Sequence, residues 1–359
     1  MARIGVNALY LIPGGVGGTE VYLRELLAAL AEIDSTNHYF VFTNLETGRD
    51  LVPRRANFFW KPQALRASFR PGRILWEQVV LPIESAGYRL DVMFNPGFTA
   101  PLVAPCRQTT TFHDLQHKRH PEYFRWFDLP FWRVLLWASA NRSRCLIAPS
   151  KNTRADLAQV YGLARERIAV IPHGVHPDFF ALDRARVEPF LLCVSTLHPH
   201  KNLERLIRAY ASKPRRQRLI LAGVRGFHTQ PVEELIVDLN LQERVEITGW
   251  LARDKLLALY QHAWASVYPS TFEGFGMPAL EALAAGIPLA CSNIAPLREV
   301  VGDSALLFDP LKEDSISPAL DRIIGDEELR SKFSRDGRER ARSFTWKRAA
   351  EMTLEALLG

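Results

Sequence analysis

Two carboxylates, Glu273 and Glu281, stand eight residues apart in the segment Tyr268-Pro-Ser-Thr-Phe-Glu-Gly-Phe-Gly-Met-Pro-Ala-Leu-Glu281. Between them a glycine-bearing turn leads into a helix, with Pro278 expected at the first helical position, where its missing N–H costs nothing. A helix N-terminus presents unpaired backbone N–H groups and a partial positive charge, which suit a pyrophosphate. Gly274 and Gly276 lack Cβ atoms, so ligand oxygens can come close to the main chain. An ionised carboxylate only accepts hydrogen bonds, so Glu273 can take sugar hydroxyls and Glu281 a ribose diol. The residue types therefore fit both halves of an activated sugar nucleotide. The same strand, turn and helix is also ordinary α/β architecture, in which a helix glutamate is simply solvated; a glycine-rich turn alone is weak support.

Positioning such groups takes a regular scaffold, and the apolar periodicity supplies one. It switches repeatedly between short continuous runs and amphipathic helical stretches. In the first half, strands are expected at Arg3–Val6, Tyr39–Thr43, Val92–Asn95, Thr109–Phe112, Leu146–Pro149 and Ala169–Ile171. Helices are expected at Thr19–Leu30 and at Lys151–Val160, the latter with Ser150 as N-cap. In the second half, strands are expected at Phe190–Ser195, Leu219–Ala222, Val245–Thr248, Ala265–Tyr268, Pro288–Ser292 and Ala305–Phe308. Helices between them include Leu203–Ala211, Pro231–Leu239, Asp254–His262 and Pro278–Ala285. Such alternation predicts an α/β protein with two parallel sheets, each covered on both faces. The pattern breaks from Pro172-His-Gly-Val-His-Pro-Asp-Phe-Phe to Glu188-Pro189, which marks the joint. The expected organisation is a first domain over 1–172 and a second over 173–343. A C-terminal helix over 344–359 has the option of packing back on the first domain.

A chain of 359 residues has room for two cores, and 47% hydrophobic with 23% charged residues is ordinary globular usage. The four cysteines are scattered; Cys145, Cys193 and Cys291 sit in or beside apolar runs and read as core residues in a reducing compartment. The N-terminus reads as a strand, and no apolar run approaches the roughly 20 residues that span a bilayer. A soluble, cytoplasmic protein is expected, with the option of lying against a membrane. The net charge of +6 matters through its distribution. Basic and aromatic residues gather at Phe59-Trp60-Lys61, at Arg66 to Arg73 with Phe69, and at Tyr123 to Arg144. That grouping fits an anionic membrane surface or a phosphate-bearing acceptor. Nucleic acid is not expected as a partner, since neither a recognition helix nor an RNA-binding aromatic signature is present.

Further landmarks follow in order: Gly14-Gly15-Val-Gly17-Gly18 with Thr19-Glu20, Phe112-His-Asp-Leu115, Ala148-Pro-Ser-Lys151, Val170-Ile-Pro-His-Gly174, His198-Pro-His-Lys-Asn202, Leu221-Ala-Gly223 and Gly249-Trp250. Together with the Glu273/Glu281 segment and Gly286-Ile-Pro288, this ordered set resembles the retaining glycosyltransferases of family 4. The resemblance implies the GT-B architecture, two Rossmann-like parallel-sheet domains facing each other across a cleft. It also implies roles. Glu273 would orient the transferred sugar, and the main-chain N–H groups of Gly274, Phe275, Gly276 and Met277 would hold sugar and pyrophosphate. Glu281 would hold the ribose. Lys201 would offset charge on the leaving diphosphate. The family tends to carry an arginine shortly before that lysine, where this chain has Thr196; Arg225 is the expected substitute. The loop Gly14, Gly15, Gly17 and Gly18 would shape the acceptor side, unless it is only a packing turn. His113 would bond the donor sugar near its reacting carbon, with Asp114 orienting it or capping the next helix.

Rival chemistries fit less well. The glycine loop lacks dinucleotide spacing, and no acidic residue follows where a nicotinamide ribose contact belongs. His113, His117 and His120 lack the spacing of a metal site. Without an Asp-x-Asp motif, the enzyme is expected to need neither metal nor other cofactor, with its nucleotide sugar, best read as GDP-mannose, as substrate. By resemblance, a hexose passes with retention, through an oxocarbenium-like transition state, to a saccharide or lipid-linked acceptor. A nucleotide-sugar epimerase of the same fold and a non-catalytic saccharide-binding assembly protein remain as alternatives.

Overall fold

The computed structural model describes residues 1–15, 17–123, 126 and 128–359. Val16 of the glycine loop, and Phe124, Arg125 and Phe127 of the aromatic stretch, lie outside the described residues. The chain divides into two compact units, Met1–Gly174 with Trp346–Gly359, and Val175–Thr345.

The first unit runs β1 (Arg3–Ala8), α1 (Gly18–Ile33), β2 (His38–Thr43), β3 (Phe58–Pro62), α2 (Arg70–Gly87), β4 (Val92–Asn95), β5 (Arg107–Thr111), α3 (Gln116–Arg119), α4 (Leu129–Arg142), β6 (Cys145–Ala148), α5 (Lys151–Tyr161) and β7 (Ile168–Val170). Its sheet is parallel, in the order β3-β2-β1-β4-β5-β6-β7. Ser150 does cap α5, its hydroxyl accepting from Thr153 N at 3.1 Å, and Gly162 at φ 67° ends that helix.

The second unit runs β8 (Glu188–Val194), α6 (Leu203–Ala211), β9 (Arg218–Ala222), α7 (Thr229–Asp238), β10 (Val245–Gly249), α8 (Arg253–His262), β11 (Ala263–Tyr268), α9 (Met277–Ala284), β12 (Leu289–Ser292), α10 (Ala295–Val301), β13 (Leu306–Phe308), α11 (Glu313–Gly325) and α12 (Glu327–Ala341). Its parallel sheet is ordered β10-β9-β8-β11-β12-β13. Successive residues of β8 feed opposite cores: Phe190 and Leu192 join one buried cluster, Leu191 and Cys193 the other. That double burial is why the strand reads as an unbroken apolar run. The last helix, α13 (Trp346–Leu358), belongs to the first unit and packs on α1 and over β4, β5 and β6.

One expectation, the place of Pro278, needs correction, and two of the grouped segments form regular elements. Phe59-Trp60-Lys61, grouped above with a basic aromatic surface, forms the edge strand β3, paired with β2. There the Trp60 indole donates to Thr43 Oγ1 at 2.8 Å, and Lys61 Nζ lies 4.2 Å from the Tyr88 ring. Arg70 to Arg73, grouped likewise, opens helix α2. Pro278 is the second residue of α9, behind Met277; that position still needs no N–H partner, because the first turn of any helix leaves its donors unpaired.

In each sheet the strand order reverses direction once, between β1 and β4 in the first unit and between β8 and β11 in the second. Loops leaving the C-terminal ends of strands beside such a reversal form the usual ligand crevice of open α/β sheets.

Candidate active site

Lys201 lies on the loop after β8 and Glu273 on the loop after β11, the two strands that flank the reversal in the second sheet. The geometry joins them directly. Lys201 Nζ donates to Glu273 Oε1 at 2.6 Å, with the two side chains only 13% and 11% exposed. The Tyr268 hydroxyl donates to the same Oε1 at 2.6 Å, and Lys201 Nζ also reaches the Tyr268 hydroxyl at 3.2 Å. Burial works against ionising Glu273, but the charges of Lys201 and His200 and the hydrogen bonds from Lys201 and Tyr268 outweigh it and hold the carboxyl below its ordinary value. The site therefore stores a carboxylate and an ammonium side by side.

Cross-links between the two loops fix this pair. Asn202, in the left-handed region at φ 58°, sends its amide to Pro269 O at 3.0 Å and Pro310 O at 2.7 Å. Thr271 N donates to His200 O at 2.8 Å. Gly276 caps α9 at φ 102°, and an added Cβ would lie 2.3 Å from Leu297 Cδ2. That glycine is demanded by backbone shape and by packing, beyond any room it leaves for a ligand. One turn into α9, Glu281 Oε2 accepts from the Tyr260 hydroxyl at 2.7 Å. Burial, together with the neighbouring Glu281, pushes the Tyr260 hydroxyl well above its ordinary value, so it stays a donor.

Arg225 stands on the loop after β9, where its guanidinium pairs with Glu233 at 2.7 Å. The loop itself is pressed against the chain leading to Lys201, because Leu197 N donates to Val224 O at 3.1 Å.

In the first unit, the glycine loop follows β1 and ends in α1. Gly14 and Gly17 take φ 70° and 58°, and Gly14 N donates to Glu20 Oε2 at 2.7 Å. Gly15 N donates to Ile12 O, and Gly18 opens the helix. His113 follows β5. Its Nε2 meets Pro96 O at 2.8 Å; a carbonyl only accepts, so Nε2 carries the proton and Nδ1 keeps its lone pair. Tyr22 and Phe98 stand edge-on to the ring at 4.8 and 5.2 Å between centroids. Burial, against the opposing pull of Pro96 O, lowers the His113 pKa to about 4. Asp114 Oδ1 accepts from Gln116 N at 2.9 Å, at the entry to α3. His117 turns to the Tyr161 hydroxyl at 2.7 Å and His120 to Glu122 at 2.9 Å, away from one another.

Sequence comparison places this geometry. Residues 177–340 match the family described as Glycosyl transferases group 1, and residues 16–179 match Glycosyltransferase Family 4. The O-antigen chain mannosyltransferase RfbU of Salmonella typhimurium is 31% identical over 313 residues, 87% of this chain and 86% of that protein. The chain belongs to the group 1, family 4 glycosyltransferases. The O-antigen chain mannosyltransferase B of Escherichia coli is 29% identical over 284 residues, 75% of this chain and 74% of that one. Among solved structures, the sucrose-phosphate synthase of Thermosynechococcus elongatus superposes with a TM-score of 0.81, at 21% identity, covering 99% of this chain and 98% of that one. The fold of this glycosyltransferase is GT-B, with Rossmann-like parallel sheets of seven and six strands.

In the glycosyltransferase, Lys201, Glu273, the turn 274–277 and Glu281 lie in the second unit, and His113 and the glycine loop in the first. Sequence reasoning assigned no part to Tyr260, Tyr268, Asn202 or Thr271. Tyr268, Thr271 and Asn202 stand inside the motifs that were singled out, but nothing in a motif tells where a hydroxyl or an amide will point. Among the described residues no helix is long and apolar enough to cross a membrane.

Proposed function

We propose that this glycosyltransferase moves mannose from GDP-mannose to a saccharide or lipid-linked acceptor in surface-polysaccharide assembly, retaining the anomeric configuration and using no metal ion. The observation that carries the donor site is the 2.6 Å contact of Lys201 with Glu273 beside the N-terminus of α9. Mannose is favoured because the two relatives named above are both O-antigen mannosyltransferases.

The chemistry follows from exchange of partners. The incoming diphosphate takes Lys201, whose ammonium then faces negative charge that grows as the glycosidic bond breaks. Backbone N–H groups of Gly274, Phe275, Gly276 and Met277 share that charge. Glu273, released by Lys201, accepts hydroxyls of the sugar instead, while Tyr268 keeps it aimed. Glu281, oriented by Tyr260, accepts the ribose diol. Arg225 leaves Glu233 for the outer phosphate. Neutral His113 accepts a hydroxyl of the donor sugar at Nδ1, and the glycine loop, on the acceptor side, shapes the space where the acceptor nucleophile attacks. That attack, on the face the leaving group vacates and with the acceptor hydroxyl's proton passing to the departing diphosphate oxygen, gives retention through an oxocarbenium-like transition state.

The test incubates the purified enzyme with GDP-mannose, UDP-glucose or a dTDP-sugar in chelator, with mannose-terminated oligosaccharides as acceptors, and weighs the products by mass spectrometry. Addition of one hexose from GDP-mannose is expected. Transfer from another nucleotide alone overturns the donor, loss in chelator overturns metal independence, and acceptor-free conversion of the donor sugar makes the protein an epimerase.

A further inference from the structure

Helix α2 is turned inside out. Its buried positions, at steps of four, are Arg73, Glu77, Leu81 and Ser85. Glu77 accepts from Asn7 Nδ2 at 3.1 Å and from Thr99 Oγ1 at 2.9 Å, so the inward face serves a polar network. Its outward face carries Leu75, Val79 and Ile83, with Leu75 65% and Ile83 67% exposed. A surface helix of a soluble protein normally shows the opposite pattern.

This outward face is not isolated. The crossover from β3 to β4 runs along the sheet opposite to that from β1 to β2, and the crossover from β5 to β6 runs the same way as the former. With right-handed crossovers, α2 and α4 therefore cover the same face of the sheet, opposite α1. The loop after β4 links them. Ala100 N donates to Ser139 Oγ of α4 at 3.0 Å, and Leu102 N to Gln78 Oε1 of α2 at 2.8 Å. That loop exposes Leu102 and Val103, and α4 exposes Phe131, Val134 and Trp137 at steps of three. Trp126, just before α4, is 83% exposed. Large exposed apolar side chains on two helices of one sheet face and on the loop bonded to both mark an interaction site.

Its rim is positively charged. Arg66 and Arg70 are exposed at the start of α2, Arg142 and Arg144 at the end of α4, and none of the four forms an ion pair among the described residues. Aliphatic and indole side chains projecting from a ridge, bordered by unpaired arginines, match a lipid surface, where acyl chains receive the former and headgroup phosphates the latter. We infer that the face built by α2, the 99–103 loop and α4 docks on a bilayer bearing anionic headgroups. The inference rests on the lipid-linked acceptor proposed above for its purpose, which is to hold the acceptor-binding unit at the membrane.

The test is co-sedimentation of the full chain with phosphatidylcholine vesicles, with and without about a third phosphatidylglycerol. Binding to the anionic vesicles, weakened by salt, is expected. The combined variant Leu75→Gln, Val79→Gln, Ile83→Gln keeps its melting temperature and loses at least about tenfold in vesicle affinity. Arg142→Gln with Arg144→Gln lowers the preference for anionic vesicles. Absence of wild-type binding, undiminished binding by the triple variant, or a wild-type dimer that this variant dissolves would each overturn docking. Nucleotide-induced thermal stabilisation is read alongside; its persistence when vesicle binding fails separates this inference from the donor site, and its loss with vesicle binding intact leaves docking standing alone.

Discussion

At its reversal of strand order the second unit holds a charged pair, while the first holds, one strand away, an uncharged ring. Glu273 keeps its charge beside Lys201 although both side chains are nearly inaccessible. His113 is as inaccessible and is neutral. Burial disfavours the charged form in both places, so burial is not what separates them. Glu273 has an ammonium and a phenol within hydrogen-bonding distance. Around His113 stand Tyr22, Phe98 and His173, with a ring-to-ring distance of 5.6 Å to the last, and among the described residues no opposite charge acts on its pKa. The contrast suits a division of labour in which one unit meets a dianionic leaving group and the other meets hydroxyls.

The largest way to break this contrast is to remove the cation. Lys201→Ala leaves a buried carboxylate whose protonation then becomes favourable, and takes the positive charge from the departing diphosphate. Turnover with the preferred donor should fall by about two to three orders of magnitude. Steady-state kcat is the readout, and a change below about threefold, on the scale where 1.4 kcal/mol is tenfold, would remove Lys201 from the chemistry.

Acid should separate the two units next. His113 has a folded pKa of about 4 against an ordinary 6.5. Below 6.5 the unfolded chain binds the proton more readily, so this contribution is complete above pH 6.5 and is lost as pH falls toward 4. At 1.36 kcal/mol per unit the loss approaches about 3 kcal/mol. His117, also lowered to about 4 by burial, adds to the same window. Glu273 runs the other way: its pKa is depressed, so its contribution is present above the ordinary carboxylate value and is lost only at lower pH. Melting temperatures between pH 4 and 7 should therefore decline mainly through the histidines. His113→Asn should flatten that slope, and an unchanged slope would mean that the ring is protonated in the native protein.

What the residue pattern disclosed follows the same physics. β8 and β11 were readable because both of their faces are buried. β3 was not, because Trp60 and Lys61 on an edge strand look like surface residues. α2 was not, because its inward positions are Arg73, Glu77 and Ser85, so the apolar period points away from the core. Glu273 and Glu281 stood out by type and spacing, and Lys201 through the resemblance of its motif to family 4. The bond between Lys201 and Glu273 spans 72 residues of chain, and no local pattern encodes it.

The two tyrosines sharpen the picture at smaller cost. Tyr268→Phe and Tyr260→Phe each remove a hydrogen bond to a donor-site carboxylate, worth about 1.5 kcal/mol or somewhat more when one partner is charged. Tyr268→Phe should lower kcat because Glu273 loses its aim, while Tyr260→Phe should raise KM for the nucleotide sugar and spare kcat. Equal effects on both parameters in both variants would show that the tyrosines act only through stability.

The smallest expected effect tests the least enclosed of the proposed contacts. Arg225 pairs with Glu233 at 2.7 Å, but the side chains are 59% and 42% exposed, so the pair itself adds less than about 1 kcal/mol to stability. Arg225→Ala should therefore melt like the parent. Its loop nonetheless lies close against the Lys201 loop: a Cβ on Gly223 would lie 2.1 Å from Ser195 O, and one on Gly226 2.4 Å from Leu197 O. An arginine held on such a loop, but free to rotate along its side chain, can leave Glu233 for a phosphate without moving the backbone. A rise of about fivefold in KM for the donor, about 1 kcal/mol, with kcat unchanged is the expected result. Glu233→Ala should shift KM the other way, because the guanidinium no longer has to break a bond before it binds. If neither variant moves KM, Arg225 is a surface ion pair, and Lys201 and the N-terminus of α9 hold the diphosphate alone.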